Sequence, residues 1–452
     1  MNAPRQLLLL FLFAAIGCGN SAAPPSPAAP GDSGLPAVDA GGSTTHEGEV
    51  TVAVYDEGVA APDVELVFHT ADGELIAMGR TGADGRATQS IPRGAMVTAF
   101  SVGAEGGGAY TVTALEPGDE IKIGGPYTEP PAPSPVGTAH VTVSDVFTGA
   151  SFYQIDVGCT TGDLVDPGSV DLVLDASCLD EAATSFTVLA LAMDENGEPI
   201  AYATAKDVPL TTGGPTEVAL PPWSTEWTTT PVTVRGVPAE ATLVDVLGEW
   251  VARQHLVAWT YPTSAPPDTT GSASFMWRIY RNLDWLEVGY RALAYFGPLD
   301  AEGGVGAGDM LGVSATREAP TIGSEVVIDL ADALPRTRDL SVDDSHGTRV
   351  SWSTTIGSND ADYGTLDAFL IEGDRWLQWT VVIPAGSQAF QFPTLSAATA
   401  ADLEPDHDWD YEVTFYDMGD VTGYDGPRRG DAGASQYVVS DAMLRFSHVQ
   451  NY

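Results

Sequence analysis

Lysine is almost missing from this chain: Lys122 and Lys206 are the only two in 452 residues. Nineteen basic residues face 62 acidic ones, for a formal net charge of −43. Nucleic acid and anionic lipid surfaces are held by clustered Lys and Arg, so this field excludes both as partners. The acidity reads first as a solubilising surface. Cysteine is also sparse, at three, and two cysteines without nearby histidines do not close a zinc shell. The histidines at 46, 69, 140, 255, 346, 407 and 448 lie far apart, so no local ligand pair emerges. After residue 18 no apolar run approaches the ~20 residues a membrane helix needs. No fixed-period repeat marks a solenoid.

Residues 1–18 are distinctive. A short basic start ending at Arg5 is followed by the apolar run Leu7 to Ile16 and then Gly17-Cys18. That order predicts an export signal over residues 1–17. Ile16-Gly17-Cys18 resembles the end of a bacterial lipobox. The resemblance implies lipid on Cys18, membrane contact through that lipid alone, and a place in the cell envelope, at the outer membrane or cell surface. Ala15-Ile16-Gly17 also satisfies the small-x-small rule of ordinary signal peptidase, which gives a secreted protein with a thiol at position 18. In an exported chain the remaining pair, Cys159 and Cys178, predicts a disulfide.

Hydrophobic residues at 44%, with ten tryptophans, supply real cores. The predicted class is all-β: tandem antiparallel β-sandwich domains after a flexible N-terminal tether. The tether covers 18–47, rich in Ala, Pro, Gly and Ser. A first sandwich covers 48–125, and a proline-rich linker, stiffer by composition, covers 126–135. A β-rich region at 136–335 reads as one unit or as two, about 136–238 and 239–335, and a sandwich-like domain fills 336–452. In the first sandwich Val50, Val52 and Val54 alternate with Thr51, Ala53 and Tyr55, and Asp72-Gly73 and Asp84-Gly85 mark hairpins. Over 243–258, Leu243, Val246, Leu247, Trp250, Val251 and Ala258 recur at helical spacing while the β-branched content suits strands. A helix and an extended pair both stay open there.

Val50-Thr-Val-Ala-Val-Tyr-Asp56, Gly58, Pro62, Thr81-Gly-Ala-Asp-Gly-Arg86 and Pro92-Arg-Gly94 resemble the carboxypeptidase regulatory-like domain, a transthyretin-like or Ig-like sandwich. The resemblance covers about 75 residues. It implies a non-catalytic spacer or binding module and carries no catalytic residue with it.

Several motifs echo chemistry without its context. Gly31-Asp-Ser-Gly34 sits in the tether, where no core positions an oxyanion hole. Asp344-Ser-His-Gly347 lacks a downstream nucleophile motif. His46-Glu-Gly-Glu49 precedes the first strand, and Arg429-Gly-Asp431 is a tripeptide common by chance. Asp360, Asp362 and Asp367, around Gly364, have the rhythm of a calcium loop, which makes Ca2+ the one cofactor considered; such a site stabilises rather than catalyses. Trp223 and Trp227 are candidates for a platform stacking on sugar rings. The expected function is a surface-anchored, non-catalytic role in binding, adhesion or envelope structure, with a glycan or protein ligand, and not an enzyme. The alternative is glycan binding or processing by Trp and carboxylates of the C-terminal half, with Asp344 and Glu372 or Asp374 as an acid/base pair.

Overall fold

A computed structural model describes residues 47–56, 59–103, 106–124, 135–180, 183–195, 197–211, 213–252, 255–280, 287–297, 309–318, 324–345, 347–357, 360–372, 375–393, 395, 409–418, 423–429 and 443–451. The export signal, Cys18 and all but the last residue of the tether lie outside them, as does most of the proline-rich stretch. The chain is all-β and builds tandem β-sandwiches from mostly antiparallel sheets.

The first sandwich contains β1 (Glu47–Asp56), β2 (Val59–Ala60), β3 (Glu65–His69), β4 (Leu75–Arg80), β5 (Arg86–Pro92), β6 (Ala95–Gly103), β7 (Gly106–Leu115) and β8 (Glu120–Ile123). Its valines at 50, 52 and 54 point inward onto Leu66, Phe68, Val97 and Ile121, as their alternation predicts. The second contains β9 (Gly137–Thr142), β10 (Phe152–Asp156), β11 (Thr161–Leu164), β12 (Ser169–Leu174), β13 (Ser185–Met193), β14 (Pro199–Pro209) and β15 (Thr216–Ala219). The third contains β16 (Trp227–Arg235), β17 (Leu243–Ala252), β18 (His255–Ala265), β19 (Ala273–Tyr280), β20 (Glu287–Tyr295), β21 (Met310–Glu318) and β22 (Val326–Asp329). The fourth contains β23 (Arg338–Asp343), β24 (Arg349–Ser353), β25 (Tyr363–Glu372), β26 (Arg375–Pro384), β27 (Ala389–Gln391), β28 (Asp410–Met418) and β29 (Met443–Asn451), with the short helix α1 (Asp425–Arg429).

Of the two readings of 243–258, the extended pair holds: β17 and β18 are antiparallel neighbours. Leu243, Val244, Asp245 and Val246 are all buried. A strand covered on both faces loses the apolar–polar alternation that identifies a strand.

The sandwiches are not separate beads. One twelve-stranded sheet runs β18-β17-β20-β21-β29-β28-β25-β26-β7-β6-β3-β4, so it draws four strands from each of three sandwiches. Two joins make it continuous. Antiparallel β21 and β29 pair Met310 to Val313 with His448 to Arg445. Parallel β7 and β26 pair Gly106 to Val112 with Trp376 to Val382. At the second join, Val67, Met96, Phe100 and Ala109 of the first sandwich enter the core of the fourth. The second sandwich attaches differently: Leu189, Leu191 and Met193 on the outer face of β13 join the core of the third.

Close approach dictates two glycines in this sheet. A Cβ on Gly248 would sit 1.7 Å from the Trp277 ring, and one on Gly312 would sit 2.0 Å from Phe446. Each aromatic ring occupies the space a side chain would take, an arrangement that covers glycine within a strand.

Candidate functional site

The structure scatters most residues the sequence singled out. Trp223 stacks on Tyr153 at 5.4 Å, and its Nε1 donates to the Asp145 carbonyl at 2.9 Å, inside the second core. Trp227 packs on the third core, with the Arg278 guanidinium 4.7 Å from its ring centre. The two half-buried rings therefore serve different cores. Asp344 is exposed, whereas Asp374 and the Glu372 side chain lie outside the described residues.

The three aspartates of the calcium rhythm also have separate tasks. The Asp360 carboxylate accepts from the Gly357 N–H at 2.7 Å. Buried Asp362 accepts from the N–H groups of Met418 at 2.8 Å and Gly423 at 2.6 Å, one on each oxygen. Asp367 is a strand residue of β25. Among the described residues the one set of three metal-type ligands within mutual reach is Cys159, Asp175 and Cys178, and its two sulfurs are already bonded to each other.

That disulfide, with Cα atoms 4.8 Å apart, ties the end of β10 to the short 3-10 turn Ala176–Cys178. It closes a loop of 19 residues, worth about 3 kcal/mol by loop entropy. Replacing Cys159 and Cys178 together by serine is expected to cost about that much. Denaturant unfolding of the variant against the oxidised wild type checks it, and equal midpoints would refute it.

A different group gathers on the face of the long sheet turned away from the fourth core. Thr380, Asp367, Glu412 and Gln450 form one cross-strand row over β26, β25, β28 and β29. Thr365, Thr414, His448 and Met310 form the next. Tyr363 and Tyr416 form a third, stacked at 5.1 Å. Because β residues alternate faces, positions two apart on adjacent strands bring these side chains to one face.

Asp367 accepts from the Thr380 hydroxyl and, at 3.4 Å, from the Gln378 amide. Burial, reinforced by the negative charge of Glu412, pushes its carboxyl up to about 6. Burial raises Glu412 to about 7. Two carboxyls directly opposite on neighbouring strands resist double ionisation, so near neutrality the pair holds on to a proton. Burial lowers His448, which stays neutral between Thr414 Oγ1 at 2.8 Å and Gln450 Oε1 at 3.2 Å. With Gln450 accepting, His448 carries its proton on Nε2 and accepts the Thr414 hydroxyl on Nδ1. The rows hold these groups against one another on adjacent strands, with Thr380, Thr414 and His448 buried.

Both carboxyls keep protons to higher pH in the fold than in the unfolded chain, where they titrate near 4. The native state thus binds more protons between about pH 4 and about pH 7, and stability falls as pH rises through that window. Asp156, raised to about 7 by burial in the second sandwich, adds a slope of the same sign. Glu412→Gln is expected to flatten part of the fall in melting temperature from pH 5 to pH 7.5. A slope identical to wild type would remove this pair as its source.

Sequence reasoning reached Asp367 through the calcium rhythm and did not single out Glu412 or His448. The usable signal was Glu412-Val-Thr414 alternating inside a strand: a carboxylate and a hydroxyl on one face of an otherwise apolar segment.

No protein-family model and no curated protein matches this sequence. Among solved structures, the chain is similar to the Bacillus anthracis TIE protein at 10% identity and a TM-score of 0.14, over 63% of this chain and 50% of that one. A shaft pilin of Lactobacillus rhamnosus aligns at 10% identity and a TM-score of 0.13, over 64% and 98% of the two chains. A DUF3823 family protein of Parabacteroides merdae aligns at 10% identity and a TM-score of 0.15, over 50% and 99%. The chain thus spans half the length of the Bacillus protein. Scores this low carry no argument about activity, so the functional reading rests on this chain's own residues.

Proposed function

We propose that this chain is exported, anchored by lipid on Cys18, and serves at the bacterial cell surface in a non-catalytic binding or structural role. The observation that carries the structural half is the twelve-stranded sheet. Backbone ladders rather than loose linkers fuse three sandwiches, and the second shares a core with the third. A body so welded resists bending between its units, as an extracellular scaffold must. The residues at 1–18 and the Cys159–Cys178 bridge support export. No helix among the described residues is long and apolar enough to cross a membrane. The test is metabolic labelling with a fatty-acid analogue. The wild-type chain takes up label and Cys18→Ser does not; label on both, or on neither, refutes the anchor.

A further inference from the structure

The join between the first and fourth sandwiches is made of two strand edges. Without it, β7 is the last strand of the sheet β4-β3-β6-β7, and β26 is the last strand of the remaining eight. Each then exposes a row of unpaired N–H and C=O groups, which a protein in water must cover or pair.

The two edges are coded for each other beyond their ladder. The Thr113 hydroxyl donates to the Val382 carbonyl at 2.9 Å. The Tyr424 hydroxyl lies 3.0 Å from the carbonyls of both Thr113 and Val382. Arg428 on α1 reaches across to Asp119 at 2.5 Å and to the Ala114 carbonyl at 3.3 Å. In chain order the partners are far apart, Asp119 and Arg428 being separated by 309 in sequence number. The chain leaving the first sandwich runs at once through Pro126 to Pro135, five prolines in ten residues.

We propose that the same interface forms between copies of this chain, the β7 edge of one molecule seating on the β26 edge of another. Every contact named above is available in either arrangement, so the two differ only in the entropy of the connection. For a short tether the balance lies at millimolar concentration of copies. The ten-residue stretch reaches no more than roughly 33 Å, which bounds how far the first sandwich travels from its own body. The edge offered and the edge accepted are different surfaces. Exchange therefore closes into a pair when reciprocal and propagates into a chain when it is not. This inference rests on the fold and does not require the lipid anchor.

The test uses two full-length chains, each with Cys18→Ser to remove the spare thiol. One carries Gly108→Cys and the other Gln378→Cys, at positions that are register partners across the join. A Cβ at Gly108 meets only the Gln378 carbonyl, at an ordinary 3.5 Å. The two are unfolded, refolded together and mildly oxidised. A disulfide-linked dimer joining the two chains is expected, with a yield rising about fivefold between ~0.1 and ~1 mM protein. A chain carrying both cysteines should close within itself at low concentration, which shows that the geometry is competent. The proposal is overturned if the mixture gives no more dimer than either chain alone. It is equally overturned if light scattering finds the refolded wild type monomeric at every concentration.

Discussion

Arg428→Ala is expected to lower unfolding stability by about 3 kcal/mol, because it removes the buried partner of a buried carboxylate. The side chains of Arg428 and Asp119 are 4% and 2% exposed, so neither charge has water to fall back on. Asp119 keeps a backbone donor, the Glu116 N–H at 2.7 Å, and the half-exposed Arg429 at 3.5 Å, but loses its one buried counter-charge among the described residues. Arg428 also draws on Asp425 at 2.7 Å within its own helix, an exposed partner that adds little. Denaturant unfolding of Arg428→Ala, Asp119→Ala and the double variant checks the pair. The double variant should fall well short of the sum of the singles, since the cost of an unpaired buried charge is then removed. Additive losses would show that the two residues act independently.

Trp379→Ala is expected to cost a similar 3–5 kcal/mol. The ring is fully buried in β26, edge-on to Phe392 at 5.1 Å and to Phe100 at 6.1 Å. Its Nε1 donates to Thr111 Oγ1 at 2.8 Å. Phe100 and Thr111 belong to the first sandwich and Phe392 to the fourth, so the ring spans the join. Its loss should therefore split cooperativity as well as lower stability: the first sandwich is expected to melt ahead of the rest, as a separate calorimetric transition. One sharp transition with an unchanged midpoint would contradict both expectations. Trp379→Phe should recover most of the packing, because Thr111 keeps Thr98 as a hydroxyl partner at 2.8 Å.

Much of the secondary structure was legible because it is written locally. The alternating valines of β1 and the Asp-Gly pairs at 72–73 and 84–85 name strands and turns by side-chain chemistry alone. Gly73 and Gly85 indeed take positive φ, at 84° and 73°. The pairing of Cys159 with Cys178 followed from count and compartment. One clue was present but easy to misread. In Ala95-Met-Val-Thr-Ala-Phe100 every residue is buried, the mark of a strand covered on both faces, yet an apolar run alone does not say what covers the second face. The charged stretch at 425–429 carried no sign that one of its arginines is buried, since its buried partner, Asp119, lies 309 positions away.

The candidate site was less legible still. Asp367 and Glu412 are two of 62 acidic residues. What sets them apart is that β25 and β28 lie side by side in a register placing 367 opposite 412. A shift of one residue would have turned one carboxyl toward the core face.

From its residues alone this chain was bound to be an acidic, all-β string of sandwiches with the marks of export, because burial patterns, turn chemistry and charge act over a few neighbouring positions. Which edges meet was settled only in three dimensions. The N–H and C=O groups along one strand are chemically the same as those along any other. Their partners are chosen by the shape and packing of units hundreds of residues apart, and so β7 found β26 and Asp119 found Arg428.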